Sequence, residues 1–201
     1  MRWRTDTWSA EATGFYNDYD NLLGRDTLSG GGTGTGDLFN AGEVEIRGLE
    51  AALGKTWRFG GGELPIRATY SYTRGVFENS FDTSFADWSP RVEAGDRLPY
   101  LPEHQAFVEA GWRRGAWETF LNASFVDDVR VKAGQGPIEG SAAVENHLIW
   151  DLALGYRLAP GTRLTLDVKN LTDEIYLAAR RPAGLRPGLP RSIRAGVVVD
   201  F

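Results

Sequence analysis

The sequence contains no cysteine and only two histidines among its 201 residues. A disulfide-stapled fold, a zinc–thiolate site and a cysteine nucleophile are therefore excluded. His104 and His147 are isolated from other metal-ligating residues, and no Gly-x-Ser-x-Gly nucleophile motif is present. We therefore expect no enzyme activity, no metal site and no cofactor. We interpret His104 as structural, and His147, at the start of a predicted strand, as a lumenal or capping residue.

Long apolar runs are also absent. Hydrophobic residues make up 42% of the chain, yet no segment approaches the ~18 consecutive apolar residues of a transmembrane helix. Residues 2–6 offer no apolar h-region, so no signal peptide is predicted. Any membrane span must therefore consist of strands, and the chain is expected to be either soluble or a fragment of a longer precursor.

Positive charge is in the minority, with 22 Lys and Arg residues against 27 Asp and Glu residues. The resulting net charge of −5 does not favour a nucleic-acid partner. The sequence is instead rich in aromatic residues and glycine, with 25 glycines, which is typical of a β protein with many turns.

The dominant sequence period is two residues. Leu164, Leu166 and Val168 alternate with polar residues, and similar segments begin near positions 64, 117, 147 and 193. Phe120 breaks the alternation. The pattern predicts eight strands, at 5–22, 41–58, 64–78, 98–113, 116–130, 146–159, 162–176 and 190–201. All of these exceed the ~5–6 residues usual in soluble proteins, which favours a membrane barrel, whose strands need ~9–11 residues in the bilayer.

The second predicted strand departs from a single phase. Val44 and Ile46 are out of step with Leu49, Ala51 and Leu53. Either a β-bulge or emergence of the strand above the bilayer would account for the change.

The connections between the predicted strands alternate in length. Short turns are predicted at 58–63, 113–115 and 159–161, and long polar loops at 24–40, 79–97, 127–145 and 173–189. Short periplasmic turns and long extracellular loops are typical of outer-membrane barrels. Aromatic residues lie beside the short turns, and we predict that they form a periplasmic aromatic girdle. Its members are Trp57, Trp112, Trp117 and Tyr156.

Three motifs resemble those of TonB-dependent outer-membrane receptors. Asn-Leu-Thr-Asp at 170–173 is followed by Tyr176, by Pro-Gly-Leu-Pro-Arg at 187–191 and by a strand that ends at Phe201. Gly-Leu-Glu at 48–50 is similar to a strand motif of the family. Residues 95–105 resemble its Leu-Pro-x-x-Pro-x-His segment, as in receptors of the ferric-citrate or siderophore type.

The resemblance implies an all-β fold, a transmembrane antiparallel β-barrel segment of about eight strands from a 22-stranded barrel. Residues 1–201 would be the C-terminal part of that barrel, without the plug domain and the earlier strands. The implied function is that of a ferric-chelate receptor and transporter, energised by TonB, in the bacterial outer membrane. Implied partners are the ferric chelate, the plug and remaining strands, the TonB complex (through a region outside this chain), the barrel assembly machinery and outer-membrane lipid.

The resemblance also directs attention to particular residues. Arg180, Arg181 and Arg186 lie in the last long loop and could bind a carboxylate-bearing chelate bidentately, although binding of lipopolysaccharide phosphates or loop solubility would also account for them. Val197, Val199 and Phe201 resemble the C-terminal signal that barrel-insertion machinery recognises. The predicted lumenal wall comprises Arg67, Thr69, Glu118, Asn122, Asp151, Asp167 and Lys169.

Three alternatives stay open at this level. The chain could be a self-contained eight-stranded outer-membrane barrel with a structural or adhesion role, because eight strands can close around a filled interior. A soluble β-sandwich binding module is a second alternative. A general porin is a third, but it would not share the motifs at 170–173 and 187–191.

Overall fold

The computed structural model describes residues 1–25, 38–40, 42–82, 91–138, 140, 143–180 and 184–200. The described residues form antiparallel strands and their connections. None of the described segments is a helix with the length and apolarity needed to cross a bilayer. The all-β prediction is confirmed.

One nine-stranded sheet dominates the structure, and each strand pairs with the strands that precede and follow it in that sheet. Its strands are β1 (Arg2–Arg4), β2 (Trp8–Tyr19), β3 (Val44–Phe59), β4 (Gly62–Phe77), β5 (His104–Arg114), β6 (Trp117–Val126), β7 (His147–Ala159), β8 (Thr162–Lys169) and β9 (Ser192–Val199). Eight of the nine correspond to the predicted strands. Within the described residues β1 and β9 do not pair with each other, so the sheet is open.

Tight turns join the strands at one end of the sheet. The β3–β4 hairpin turns through Gly60 and Gly61, whose φ angles are +58° and +72°. A two-residue hairpin of this kind needs φ > 0 at both central positions, which glycine adopts at little cost. Gly115 and Gly161 serve the β5–β6 and β7–β8 turns, so all three predicted short turns are confirmed.

Long connections occupy the opposite end, and each contains a small two-stranded ribbon of its own. The ribbons pair Leu23–Arg25 with Leu38–Asn40, Phe81–Asp82 with Arg91–Val92, Val129–Arg130 with Ala143–Val144, and Leu177–Ala179 with Arg186–Pro187. The segments 26–37, 83–90 and 181–183 of the predicted loops lie outside the described residues.

Strand register collects the apolar residues on one face of the sheet. Leu121 on β6 lies opposite Leu152 on β7, which in turn lies opposite Val168 on β8, and Val168 lies opposite Ile193 on β9. The same face continues to β2 through such pairs as Leu53 with Ala68 and Ala10 with Leu53. We call this the apolar face, and the opposite one the polar face. Because one residue of slip would exchange the faces of a strand, register and alternation together specify the arrangement.

The polar face is concave. A cleft of about 560 Å³ crosses β2 to β6 on this face, and Glu11, Thr13, Thr69, Ser71 and Gln105 are among its lining residues. The apolar face is convex and open, with Leu53 55% and Val197 64% exposed. A continuous apolar surface of this kind is not expected on a soluble protein, but it suits a barrel wall with lipid outside and water inside.

Strand β3 shows why the hydrophobic phase changes at its start. Its pairing with β4 is uninterrupted from Val44 to Phe59, so of the two explanations for the phase change the bulge is wrong. Val44 points to the polar face, where it is fully buried together with Phe77 and with Val92 of the 81–92 ribbon. The polar face is covered by loops at this end, so the residues beneath the loops are apolar.

Phe120 lies on the polar face because glycine on the neighbouring strand makes room for its ring. A Cβ atom on Gly111 would lie 2.6 Å from Cε1 of Phe120 and 2.8 Å from Cγ of Pro65. The Arg113 guanidinium lies 5.0 Å from the Phe120 ring centroid, a distance at which cation–π attraction operates. The exception in the alternation is therefore a packed aromatic–glycine contact.

Several predicted strand limits differ from the structure. β8 ends at Lys169 instead of 176, because Asn170 has a left-handed φ of +51°. β5 begins at His104 instead of 98, because the regular ladder with β4 ends there. The preceding segment bonds both to β4, through Leu98 N–H to the Gly75 carbonyl at 3.0 Å, and to the third long loop, through Arg97 N–H to the Gly134 carbonyl at 3.0 Å. β1 was not predicted, since three residues are too few to show a period.

Candidate functional site

At the end of the sheet that carries the long loops, a network of hydrogen bonds is organised around Asn170. This residue is only 2% exposed. Its Nδ2 donates to the carbonyls of Glu174 at 2.9 Å and Leu189 at 3.0 Å, and its Oδ1 accepts from Glu174 N–H at 2.8 Å. One side chain thus joins the outgoing and returning ends of the last loop. This is the physical reason why the motif at 170–173 begins with asparagine.

The rest of the motif clamps an aromatic ring beside that junction. Tyr176 stacks on His147 with ring centroids 4.4 Å apart. Gly188 packs against Cζ, Cε1 and Cε2 of the Tyr176 ring so closely that any Cβ there would overlap them. Asp173 accepts a hydrogen bond from Arg191 N–H at 3.1 Å and forms an ion pair with its guanidinium at 3.4 Å. His147 and Arg191 are placed in structural roles here.

The segment 95–103 crosses the polar face at the same end. Leu98 and Leu101 pack on Gly75 of β4, where a Cβ would lie 2.8 Å from Leu101 Cδ2. Leu98 N–H donates to the Gly75 carbonyl at 3.0 Å. Tyr100, with a left-handed φ of +57°, donates its N–H to the carbonyl of Arg130 at 2.9 Å. The Leu-Pro motif therefore binds the second and third long loops to the barrel wall.

Charges cluster around this crossing. Arg97 forms an ion pair with Glu103 at 2.9 Å, and Arg130, 7% exposed, donates to the Gly136 carbonyl at 2.8 Å. Burial and then the neighbouring Arg97 lower the pKa of Arg130. Burial, and then the adjacent Asp127, raise the pKa of Asp128. A cleft of about 240 Å³ lies between these groups.

The three loop arginines predicted as ligand contacts have different surroundings. Arg180 is half-buried, and its Nε donates to the carbonyl of Ala143, which ties the last loop to the one before it. Arg186 is exposed on the Leu177–Ala179 ribbon. Arg181 lies outside the described residues. Arg186 therefore has the freer guanidinium of the two that are described.

The predicted lumenal residues do lie together on the polar face. Asn122 pairs with Asp151 in the β6–β7 register, and Lys169 forms an ion pair with Asp151 at 2.8 Å. Glu118 binds Arg113 at 2.7 Å and lies 3.7 Å from Arg163. The charged side chains of the wall largely neutralise one another, which suits a hydrated packing surface.

Aromatic residues of the apolar face gather beside the short turns. Trp117 and Tyr156 have ring centroids 4.6 Å apart, and Phe59 lies 5.5 Å from Trp112. Lys55 Nζ lies 4.2 Å from the Trp8 ring centroid and 5.7 Å from that of Trp57. The predicted residues thus share one face and one end. Trp8 joins them, and pairing of β2 with β3 was needed to find it.

A second aromatic group lies on the apolar face near the long loops. Tyr70 hydroxyl and His104 Nδ1 are 2.7 Å apart, and the Tyr72 and His104 ring centroids are separated by 5.2 Å. His104 consequently has a structural position on the apolar face, at the end near the long loops. Its motif is visible in the sequence, but these partners come from the adjacent strand and were not predicted.

Two further expectations concern the last strand and metal binding. Val197 and Val199 lie on the apolar face opposite Leu164 and Thr162, while Phe201 lies outside the described residues. Across the described ranges, no group of three or more His, Asp or Glu side chains is placed to hold a metal ion.

Comparison with known families accounts for this arrangement. The family model described as "TonB dependent receptor-like, beta-barrel" matches residues 1–171. The chain belongs to this family. A search of curated protein sequences found no match.

Solved structures share the fold of this TonB-dependent receptor barrel. The ferric-catecholate import receptor Fiu from E. coli K12 superposes with a TM-score of 0.73 and 20% identity, covering 100% of this chain and 26% of Fiu. The FrpB iron transporter from Neisseria meningitidis gives a TM-score of 0.71 and 17% identity over 100% of this chain and 30% of FrpB. The copper transporter OprC gives 0.69 and 19%, with the same coverages of 100% and 30%. The chain thus spans less than a third of the length of these proteins.

Family membership confirms three of the predictions. The chain is a segment of an outer-membrane β-barrel, it belongs to a receptor rather than to an enzyme, and its location is the bacterial outer membrane. A soluble β-sandwich is excluded. The open sheet also differs from the closed barrel that the eight-stranded alternative requires.

Proposed function

We propose that this chain forms part of the wall of an outer-membrane receptor that imports a ferric chelate, a siderophore or ferric citrate, with energy supplied through TonB. The observation that supports this most directly is the opposition of two faces in a chain of this family. One is continuous, convex and apolar; the other is concave, polar and ion-paired. Iron and siderophore receptors among the similar structures make iron the first ligand to test.

The open sheet edges support further strands and a plug as partners. An unpaired backbone N–H or C=O costs several kcal/mol in hydrocarbon, so a membrane sheet must close. We therefore assign residues 1–201 to the C-terminal part of a 22-stranded barrel, completed by strands outside this chain. The concave face would pack on the plug domain, and TonB would act on a region outside the chain.

The ends of the apolar face suggest how the segment sits in the membrane. Trp57, Trp112, Trp117 and Tyr156 would lie at the periplasmic headgroups, where amphipathic rings are favoured. Val197, Val199 and Phe201 would form the signal that the barrel assembly machinery reads. In this orientation the four long loops project outside the cell, where ligand arrives.

Uptake by cells provides the test of this function. The intact receptor would be expressed in cells from which its gene has been deleted, with and without TonB, and supplied with ⁵⁵Fe-labelled citrate and siderophores. We expect uptake of one iron chelate only when both proteins are present. Copper accumulation in place of iron would overturn the assignment of iron as the transported metal. Equal uptake with and without TonB would refute energy coupling.

Ligand contact by the last loop is tested in the same cells. Arg180, Arg181 and Arg186 would be replaced together by glutamine, because planar guanidinium groups bind carboxylates bidentately. We expect at least a tenfold loss of chelate affinity, most of it reproduced by Arg186→Gln alone. Arg157→Gln, at the opposite end of the sheet, is the matched control. Unchanged affinity in the triple variant would remove these residues from the ligand site.

A further inference from the structure

The cleft beside the crossing segment 95–103 is lined by side chains of both charges. Its charged lining residues are Arg97, Glu103, Asp127, Asp128 and Arg130, and most of its other walls are apolar side chains. Its volume of about 240 Å³ is below the roughly 300–1,000 Å³ of sites that enclose a whole drug-sized ligand. The cleft therefore fits one group of a ligand and not an entire chelate.

Arg130 lacks a counter-ion in this cleft. The residue is 7% exposed, and its Nη2 donates to the carbonyl of Gly136 at 2.8 Å. Among the described residues, no carboxylate forms an ion pair with it. Burial and then repulsion by Arg97 lower the pKa of Arg130, and the more distant carboxylates offset only part of this. A buried charge without a partner is unfavourable, so an anion is indicated beside Arg130.

The carboxylates of the same cleft lack a donor. Arg97 binds Oε2 of Glu103 at 2.9 Å, whereas Oε1 of Glu103 is buried and has no hydrogen-bond partner in the described part of the chain. Burial, and then the adjacent Asp127, raise the pKa of Asp128. A cationic donor would satisfy both residues. Since the described carboxylates are not arranged as metal ligands, an organic ammonium group is the cation to expect.

We propose that this cleft binds an α-amino acid group carried by the transported chelate. The carboxylate of that group would bind Arg130 and Arg97, because planar guanidinium groups bind carboxylates bidentately. Its ammonium would donate to Glu103 Oε1 and to Asp128. A ligand group with a single charge would leave either the buried arginine or the buried carboxylate oxygen unsatisfied. The inference rests on the proposed import function, and it narrows the chelate to a siderophore, since ferric citrate carries no ammonium group.

Binding to the intact receptor in detergent tests the proposal. The probes are a synthetic ferric trihydroxamate with one free α-amino acid arm, its N-acetyl derivative and its methyl ester, all labelled with ⁵⁵Fe. We expect acetylation and esterification each to weaken binding about tenfold or more, the scale of one charge-assisted hydrogen bond. Equal dissociation constants for the three probes, or no binding of the first, would overturn the proposal.

Two variants assign the two ends of the group. Arg130→Gln should abolish the penalty of esterification and keep that of acetylation, and Glu103→Gln should show the reverse, because each variant removes one partner. Arg130→Lys keeps the charge and should keep part of the ester penalty, since lysine lacks the planar fork. Arg157→Gln, at the opposite end of the sheet, is the matched control and should bind all three probes as the wild type does. A uniform loss for all three probes in both Arg130 variants would indicate a purely structural role and overturn the proposal.

Two further arms identify the source of the group and separate this inference from transport. Free alanine should compete only weakly, because it lacks the iron-bearing part. Competition at the affinity of the chelate itself would assign the cleft to free amino acids and overturn the chelate as the source. Equal TonB-dependent uptake of the three probes would refute this inference and leave the proposed function intact, whereas uptake without TonB would refute the proposed function.

Discussion

Replacing Asn170 with alanine should open the last long loop without dismantling the barrel. The substitution removes three hydrogen bonds, those that Nδ2 makes to Glu174 and Leu189 carbonyls and the one that Oδ1 accepts from Glu174 N–H. Each contributes about 0.5–1.5 kcal/mol net, for a sum of about 2–4 kcal/mol. Alanine at φ +51° adds about 1 kcal/mol, because its Cβ crowds the backbone in the left-handed region. The total of about 3–5 kcal/mol should act on loop closure.

Hydrogen exchange of the intact receptor in detergent would measure this effect. Since each 1.4 kcal/mol corresponds to a factor of about ten, exchange of the Glu174 amide should accelerate about 100- to 3,000-fold. Exchange in the β6–β7 ladder should not change, because local openings are independent of the rest of a stable sheet.

Two related substitutions separate the contributions, and a third provides the control. Asn170→Gly restores the left-handed backbone and should recover only about 1 kcal/mol. Asn170→Asp keeps the acceptor for Glu174 N–H but sets a carboxylate against two carbonyl oxygens, so it should be as harmful as alanine. Asn17→Ala, at an exposed position on β2, should have no effect. If the alanine and glycine variants exchange at the wild-type rate, the hydrogen bonds assigned to Asn170 do not hold the loop.

Three further outcomes are expected for the intact receptor. Gly111→Leu should lower the temperature at which the barrel unfolds, measured as the heat-dependent mobility shift on gel electrophoresis, because its side chain would collide with Phe120. Gly115→Asn, at an open left-handed turn, should be tolerated. Trp117→Ala should cost about 0.5–1.5 kcal/mol beyond the lost area, since it removes the ring contact with Tyr156, and denaturant titration in lipid vesicles would detect it. Partial desolvation, then repulsion from neighbouring carboxylates, raises the pKa of Glu78 above its ordinary value. The folded state then binds more protons than the unfolded state, so stability falls as pH rises through the folded pKa. When the pH is lowered from about 7 to about 5, the unfolding temperature should therefore rise less for Glu78→Gln than for the wild type. An equal rise would contradict this.

Local sequence pattern was sufficient to predict most of the sheet. Alternation in segments such as Leu164 to Lys169 has a period of two, and the glycines at 60, 61, 115 and 161 mark turns that few other residues can make. These signals depend on neighbouring residues, so no distant contact is needed to interpret them. The same is true of the contrast between short turns and long loops.

Strand ends were less predictable because tertiary contacts set them. Residues 98–103 have the composition of a strand, yet Arg97 and Tyr100 also bond to the 129–134 segment, and the left-handed φ of +57° at Tyr100 interrupts regular pairing with β4. The phase change at Val44 and Ile46 left a bulge and emergence above the bilayer as two explanations, because the sequence does not reveal that Val92 covers this end of β3. In both cases the partner lies far away in the chain.

Alternation and turn chemistry are local properties, and they were enough to predict a β-barrel wall. Which residues meet across that wall became known only from the folded chain. Register placed Arg47 opposite Arg74 and Trp8 beside Lys55, and loop packing set His147 on Tyr176. Cross-strand neighbours depend on pairing and register, which no single strand encodes alone.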